Sequence, residues 1–261
     1  MPLAVCATPI GNLEDVTLRV LDELRAADAV LCEDTRHTRV LLERHGIAAR
    51  LLSYHQHNEA KRTAELLPRL EAGESIALVS DAGLPGISDP GARLVGAALD
   101  AGVPVTVLPG PSAVETALVA SGFAGGAYRF VGFLPRGAKA LVGLSGTEPV
   151  VAFESPQRLP ATLRSLADAD PQRGVAVCRE LTKKFEEIVR GSASEVAERF
   201  STPPKGEITL VLGAGTARGD SDAGAAAVAE LVDAGMPRRQ AADVVARLTG
   251  GSRNELYRRT L

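Results

Sequence analysis

The sequence holds no tryptophan, two methionines and three cysteines, and aromatic residues make up 3% of its 261 positions. A chain this poor in rings cannot rely on stacked aromatic platforms to hold single-stranded nucleic acid. The cysteines, Cys6, Cys32 and Cys178, are odd in number, far apart and each set in an apolar run. That arrangement excludes a disulfide framework and metal-ligand spacing, and it predicts buried thiols. No apolar run nears the roughly 20 residues needed to cross a bilayer, so no membrane partner is expected. The N-terminal MPLAVCATPI has neither the positive start nor the cleavage site of a signal peptide, and the cytoplasm is the expected compartment. A P-loop is absent, since G-x-x-x-x-G-K-[ST] does not occur. One dinucleotide-like string, GAGTARG at 213–219, is set aside because the turn-rich DSDAG follows it where a helix should begin.

What is present is an ordinary globular composition, 45% hydrophobic and 23% charged, long enough for two modest domains. The net charge is −3, but it is unevenly spread. From Pro237 to Leu261 six arginines face Asp243 and Glu255, a local +4 that leaves −7 for residues 1–236. A cationic appendix is fused to an acidic body.

Strand-like runs alternate with helical periodicity: LAVCATPI with TLRVLDELRAAD, AVLCED with TRVLLERHG, SIALVSD with DPGARLVGAALDAG, VPVTVLPG with SAVETALVASG. Such alternation predicts an α/β fold with a largely parallel sheet. The Gly-rich SGFAGGAY at 121–128 reads as a linker, after which the alternation restarts at PVVAFES, GVAVCREL, EEIVRG and GEITLVLG. The expected organisation is an α/β domain over 1–121, a second over 122–216 and a basic helical segment over 220–261. In that last segment Pro237 suits a first helical turn, and Ser252 and Glu255 have capping-box spacing.

Ligands of doubly wound sheets gather beyond the carboxyl ends of the strands, where the run SDAGLPGISDPG at 80–91 leaves its strand. Its glycines permit close approach of main chain to a ligand, and Asp81 can accept hydrogen bonds from ribose hydroxyls or an amine. Asp89 followed by Pro90 reads instead as the cap and first turn of the next helix. A second loop, VLPGPSAVETAL at 107–118, places Ser112 and Glu115 at capping-box spacing, with helix N–H groups free to meet a carboxylate or adenine. The third, TPIGNLED at 8–15, follows the first strand.

Taken in order, TPIGNLED, EDTRHTRVLL, SDAGLPGISDPG, VLPGPSAVETAL, GFLPR, FESPQR, RELTKKFEEIVRG and GEITLVL resemble the methyltransferases of tetrapyrrole-methylase fold. More closely they resemble the branch that methylates the ribose 2′-hydroxyl of a cytidine in small-subunit ribosomal RNA. The likeness spans roughly residues 3–213, and the basic helical tail is typical of the same branch. It implies two α/β domains with S-adenosylmethionine in the cleft between them, in a homodimer, and a fold distinct from Rossmann-like methyltransferases. The cofactor contacts it implies are Ile10, Asp81, Leu84, Ser112, Ala113, Phe153, Ser155 and Leu181, with Ile208 or Thr209 also in range. Tetrapyrrole methylases proper have a G-x-G-x-G-D-like first loop; here Thr8 to Asn12 and the acids Glu14 and Asp15 stand instead, which points toward the RNA branch.

Methyl transfer to an alcohol is an in-line displacement in which positioning does most of the work and a base helps the hydroxyl lose its proton. Glu33, Asp34 and Glu180, at predicted strand ends, are unranked candidates for that base. Arg36, Arg39, Lys183 and Lys184 are candidate phosphate contacts, as are Arg238, Arg239 and Arg258 of the tail. His55 and His57 have poor metal spacing, so no metal is expected; His55 and Tyr54 are read as residues near an RNA channel. The expected partner is small-subunit ribosomal RNA or the assembled 30S subunit. Two other readings remain open, a C-methyltransferase of a tetrapyrrole and a non-catalytic RNA-binding assembly factor.

Overall fold

A computed structural model describes residues 2–136, 144, 146–215, 218–249 and 253–260. The first half of the chain builds five strands, β1 (Leu3–Cys6), β2 (Ala29–Cys32), β3 (Leu51–Ser53), β4 (Ile76–Val79) and β5 (Val105–Leu108). They form one sheet in the order β3-β2-β4-β1-β5, and every pairing is parallel. Helices α1 (Leu18–Ala26), α2 (Thr35–Arg44), α3 (Glu59–Glu71) and α4 (Ala92–Asp100) connect them.

Both faces of this sheet are covered. Ala4, Cys6, Val30, Cys32, Ala77 and Val79 pack with residues of α1 and α2, while Leu3, Val5, Leu31, Ile76 and Leu78 pack with residues of α3 and α4. Burial on both sides is why these strands read as unbroken apolar runs instead of alternating ones. Cys6 and Cys32 belong to that core and Cys178 to the next; burial pushes the Cys6 thiol up to about 12 and that of Cys178 to about 11.

The second sheet runs β6 (Arg129–Phe133), β7 (Val150–Glu154), β10 (Ile208–Leu212), β8 (Gly174–Arg179), β9 (Glu187–Ser192), in that spatial order. It is mixed, since β6–β7 is parallel and the other three pairings are antiparallel, so the largely parallel pairing expected from the alternation describes the first sheet and not the second. One face is covered by α6 (Leu159–Ala169) and α7 (Ala193–Arg199). The other face receives α5 (Ala113–Ser121), whose Val114, Ala117 and Leu118 pack on Val151, Ala176, Cys178 and Val211. The sequence attaches α5 to the first unit; in space it lies on the second sheet and ties the two lobes together.

The tail forms α8 (Arg218–Asp233), α9 (Arg238–Thr249) and α10 (Arg253–Arg259), packed around Val228, Ala241, Ala242, Val245 and Leu256. The DSDAG run read as turn-rich lies inside α8. Pro237 precedes α9 and its carbonyl accepts the first N–H groups of that helix. The proposed Ser252 cap lies outside the described residues, and no described helix is long and apolar enough to cross a membrane.

Candidate active site

In the first sheet Cys6, Val79 and Leu108 are level across β1, β4 and β5, so the loops that follow all leave one edge. In the second sheet Glu154 and Arg179 both stand opposite Ile208, which sends FESPQR and RELTKK off another common edge. These two edges face each other across a cavity of about 500 Å³. Its volume falls in the range of small-molecule sites.

The loops are laced together by main chain. Thr8 N–H donates to the Gly83 carbonyl at 2.8 Å, and Gly83 N–H returns the bond to Thr8 at 3.0 Å. The Thr8 hydroxyl, buried, donates to Ser80 at 2.9 Å. Across the lobes, Asn12 N–H donates to the Thr182 hydroxyl at 2.9 Å. Gly11 is required there, since a Cβ would stand 2.5 Å from Lys183 Cγ and 2.9 Å from the Leu181 carbonyl.

Ile10, Leu84, Ser112, Ala113, Phe153, Ser155 and Leu181 all line the cavity, with Ile208 and Thr209 beside them. Asp81 is not among the lining residues, although it immediately precedes Ala82 and Gly83, which are. Its carboxylate accepts the Asp34 N–H at 3.2 Å and lies 3.6 Å from His37. Ser112 does not form the expected capping box. Its hydroxyl bonds the Glu115 carboxylate, which also takes the Tyr128 hydroxyl at 2.7 Å, and the side chain leaves the first N–H groups of α5 uncapped.

The three candidate bases fare differently. Asp34 caps α2 and is held by the Arg36 guanidinium at 2.6 Å, which keeps its carboxyl well below the usual carboxylate range. Glu180 accepts the Glu207 N–H at 2.9 Å and the Lys183 ammonium at 3.0 Å, and these contacts lower its pKa, the backbone bond foremost. Both carboxylates are committed to structure, and Arg36 and Lys183 with them. Glu33 is half-buried and lies outside the cavity lining.

Among the other cations, Arg39 and Lys184 are exposed, Lys184 over the Phe185 ring. Arg238, Arg239 and Arg258 have no ion pair among the described residues, whereas Arg247 and Arg253 share Asp243. His55 is half-buried and its main-chain N–H donates to Asn58, while Tyr54 is buried with its hydroxyl on Thr63. Tyr54 belongs to the core, which corrects the reading of it as a residue available to an RNA channel.

The sequence reading missed Asp89. Helix α4 is capped by Gly91, not by Asp89, and Asp89 is one of the residues that line the cavity. Burial first, and then the negative charges of Glu33 and Asp81, raise it to about 6. Ile87 and Phe133, both largely exposed, were missed at the same place. Among the described residues no three His, Cys, Asp or Glu side chains gather as a metal site.

Tetrapyrrole (corrin/porphyrin) methylases match residues 2–197, three quarters of the sequence. The chain belongs to the tetrapyrrole methylase family. Residues 219–261 match a second family, described as the RsmI C-terminal HTH domain. Curated relatives include a protein named ribosomal RNA small subunit methyltransferase I from Mesorhizobium japonicum, 45% identical over 99% of this chain and 91% of its own length. The protein of the same name from Thermotoga maritima is 46% identical over 80% of this chain and 97% of its own. Among solved structures, uroporphyrin-III C-methyltransferase from Thermus thermophilus, complexed with S-adenosyl homocysteine, shares the fold at TM-score 0.59. It is 21% identical and covers 81% of this chain and 96% of its own.

Membership in this family makes S-adenosylmethionine the methyl donor, and the cavity suits it. Apolar side chains of Ile10, Leu84, Leu181 and Ile208 offer walls for a nucleoside. The start of α5, which the Ser112 side chain leaves uncapped, meets the cavity at Ala113 and Val114, and helix N–H groups there suit a carboxylate. Among the described residues no Lys, Arg or His lines the cavity while the acidic residues Asp89 and Glu207 do, which favours a cationic sulfonium.

Proposed function

We propose that this protein methylates the ribose 2′-hydroxyl of a cytidine in small-subunit ribosomal RNA. The observation that supports it most is the near full-length identity to relatives named for small-subunit ribosomal RNA methylation, tail included. The open cleft between the lobes and the basic tail agree with a large polyanionic substrate. Bound in the cleft, S-adenosylmethionine supplies an electrophilic methyl group.

The chain's own residues hold and orient. Asp81 takes the ribose hydroxyls of the donor, and the first turn of α5 takes its carboxylate. Ile87 and Phe133, exposed at the cavity, offer an apolar surface for the target nucleobase. Arg238, Arg239 and Arg258 contact phosphates, and Arg39 and Lys184 extend that track along the body. A homodimer, the 30S particle as substrate and a cytoplasmic location belong to the same proposal.

Incubation with methyl-labelled donor and either small ribosomal subunits or a porphyrin precursor tests it. Label recovered as 2′-O-methylcytidine after nuclease digestion is the expected result. Label in the pigment, or RNA binding without transfer, would overturn it.

A further inference from the structure

Three acidic residues, Asp89, Glu154 and Glu207, border the cavity, and their surroundings separate them. Glu154 has no solvent-exposed side-chain surface, and both its oxygens are occupied. Oε1 accepts the Ser155 N–H at 2.6 Å and pairs with Arg158 at 3.1 Å, while Oε2 accepts the Thr162 hydroxyl at 2.6 Å. Glu207 pairs with the Lys183 ammonium at 2.9 Å and leaves 76% of its side chain in solvent. Asp89 alone has no hydrogen bond or ion pair among the described residues, although it is half-buried.

Its placement is built into a strained turn. Ser88 has φ 65°, a conformation that costs a side-chain-bearing residue on the order of 1 kcal/mol. Gly91, at φ 139° and with space for a Cβ closed by Leu78 at 3.0 Å, takes over the N-cap of α4. An Asp-Pro pair would ordinarily spend its carboxylate on the helix start. Here Asp89 makes no cap and lines the cavity next to Ile87 and Ser88.

We infer that Asp89 is the proton acceptor for the hydroxyl that becomes methylated, an inference that rests on the methyl-transfer reading above. The hydroxyl oxygen forms a bond to the methyl carbon as the carbon–sulfur bond breaks, with that electron pair going to sulfur. The hydroxyl proton passes to Asp89, which returns it to water after product leaves. Charge balances, because a sulfonium and a carboxylate become a thioether and a carboxylic acid. The charged groups acting on Asp89 are Glu33 at the end of β2 and Asp81 at the end of β4, the latter beside His37, and Glu207 is a further acidic residue of the lining. Burial first, and then the negative charges of Glu33 and Asp81, hold Asp89 at about 6, ionised at neutral pH yet more basic than an ordinary carboxylate.

The test compares wild type, Asp89→Asn and Asp89→Glu in single-turnover transfer to small ribosomal subunits between about pH 5 and 8.5, with donor affinity measured by calorimetry. The wild-type rate is expected to rise with pH and level off above about 6. Asp89→Asn is expected to lose about 100-fold or more in rate, with no pH break and with donor affinity kept within about threefold. Asp89→Glu should restore part of the rate and a pH break. Asn at more than about a tenth of the wild-type rate, a break that survives in it, or a loss explained by weaker donor binding would overturn the assignment. Wild-type failure to label RNA would defeat the substrate reading itself; wild-type labelling with an unimpaired Asn variant defeats Asp89 alone.

Discussion

The Asn12 N–H donates to the Thr182 hydroxyl at 2.9 Å, joining residues 170 positions apart, one from each lobe. Thr182 holds this place with φ 65°, and Glu180 nearby has φ 52°. Two side-chain-bearing residues in the left-handed region cost energy that a connecting loop would ordinarily avoid. The RELTKK loop is therefore fixed by what it touches. Thr182→Val keeps the shape and removes the acceptor, so a stability decrease of about 1 kcal/mol is expected. A several-fold weakening of donor affinity should accompany it, read by calorimetry, because Leu181 of the same loop lines the cavity.

Gly11→Ala probes the same seam more severely. The added Cβ meets the Leu181 carbonyl at 2.9 Å, a main-chain atom that cannot rotate away, so the lobes must part. A decrease of roughly 1–3 kcal/mol in thermal unfolding is expected, together with donor binding too weak to measure. Gly125→Ala, whose Cβ would meet nothing within 4 Å, is the matched control and should leave both unchanged.

The raised pKa of Asp89 is also a statement about stability. Its folded value of about 6 exceeds the ordinary 3.8, so between those values the folded state binds more protons than the unfolded one. Stability from this group is greatest below about pH 4 and falls away as pH rises through about 6. Asp89→Asn removes the liability. The variant should melt higher than wild type at pH 8, with the difference gone at pH 4, while its transfer rate falls. Equal melting temperatures at pH 8 would contradict the burial and charge environment described for this carboxyl.

Glu154 is the opposite case, a buried carboxylate whose bonds hold FESPQR in place. Glu154→Ala strands Arg158 and Thr162 and is expected to cost roughly 3–5 kcal/mol in chemical denaturation. Arg158 also donates to the Leu134 carbonyl at 2.6 Å, so the GFLPR loop should loosen with it.

If the tail docks on RNA, Arg238→Ala with Arg239→Ala weakens binding to small subunits without touching donor affinity. The slope of log affinity against log salt should drop by about 1 for each phosphate that the variant no longer neutralises. An unchanged slope would assign these arginines to the surface of the bundle alone.

Much of the first lobe was legible because strands buried on both faces write themselves as continuous apolar runs, and LAVC, AVLC and IALV are such runs. The loops picked out by resemblance to a known set come together in space, since Ile10, Leu84, Ser112 and Leu181 line one cavity. Strand direction in the second sheet was not, since neither periodicity nor composition distinguishes parallel from antiparallel pairing in a short apolar strand. Nor was the seat of α5, which is apolar on the side facing the second sheet but follows β5 directly in sequence. Asp89 was misread because Asp-Pro is a strong local cap signal, and the left-handed Ser88 and Gly91 that cancel it depend on tertiary packing. Glu180 and Lys183 looked available because their mutual pairing, and their shared partner Glu207, becomes visible only in three dimensions.

A methyl donor seated between the lobes is the central claim, and a crystal structure grown with S-adenosylhomocysteine examines it most directly. Its adenosine should lie against Ile10, Leu84 and Leu181, its carboxylate at the start of α5, and its sulfur within reach of a hydroxyl placed beside Asp89. Density for the nucleoside anywhere else, or a sulfur facing away from Asp89 toward the core, would contradict both the site and the chemistry assigned to it.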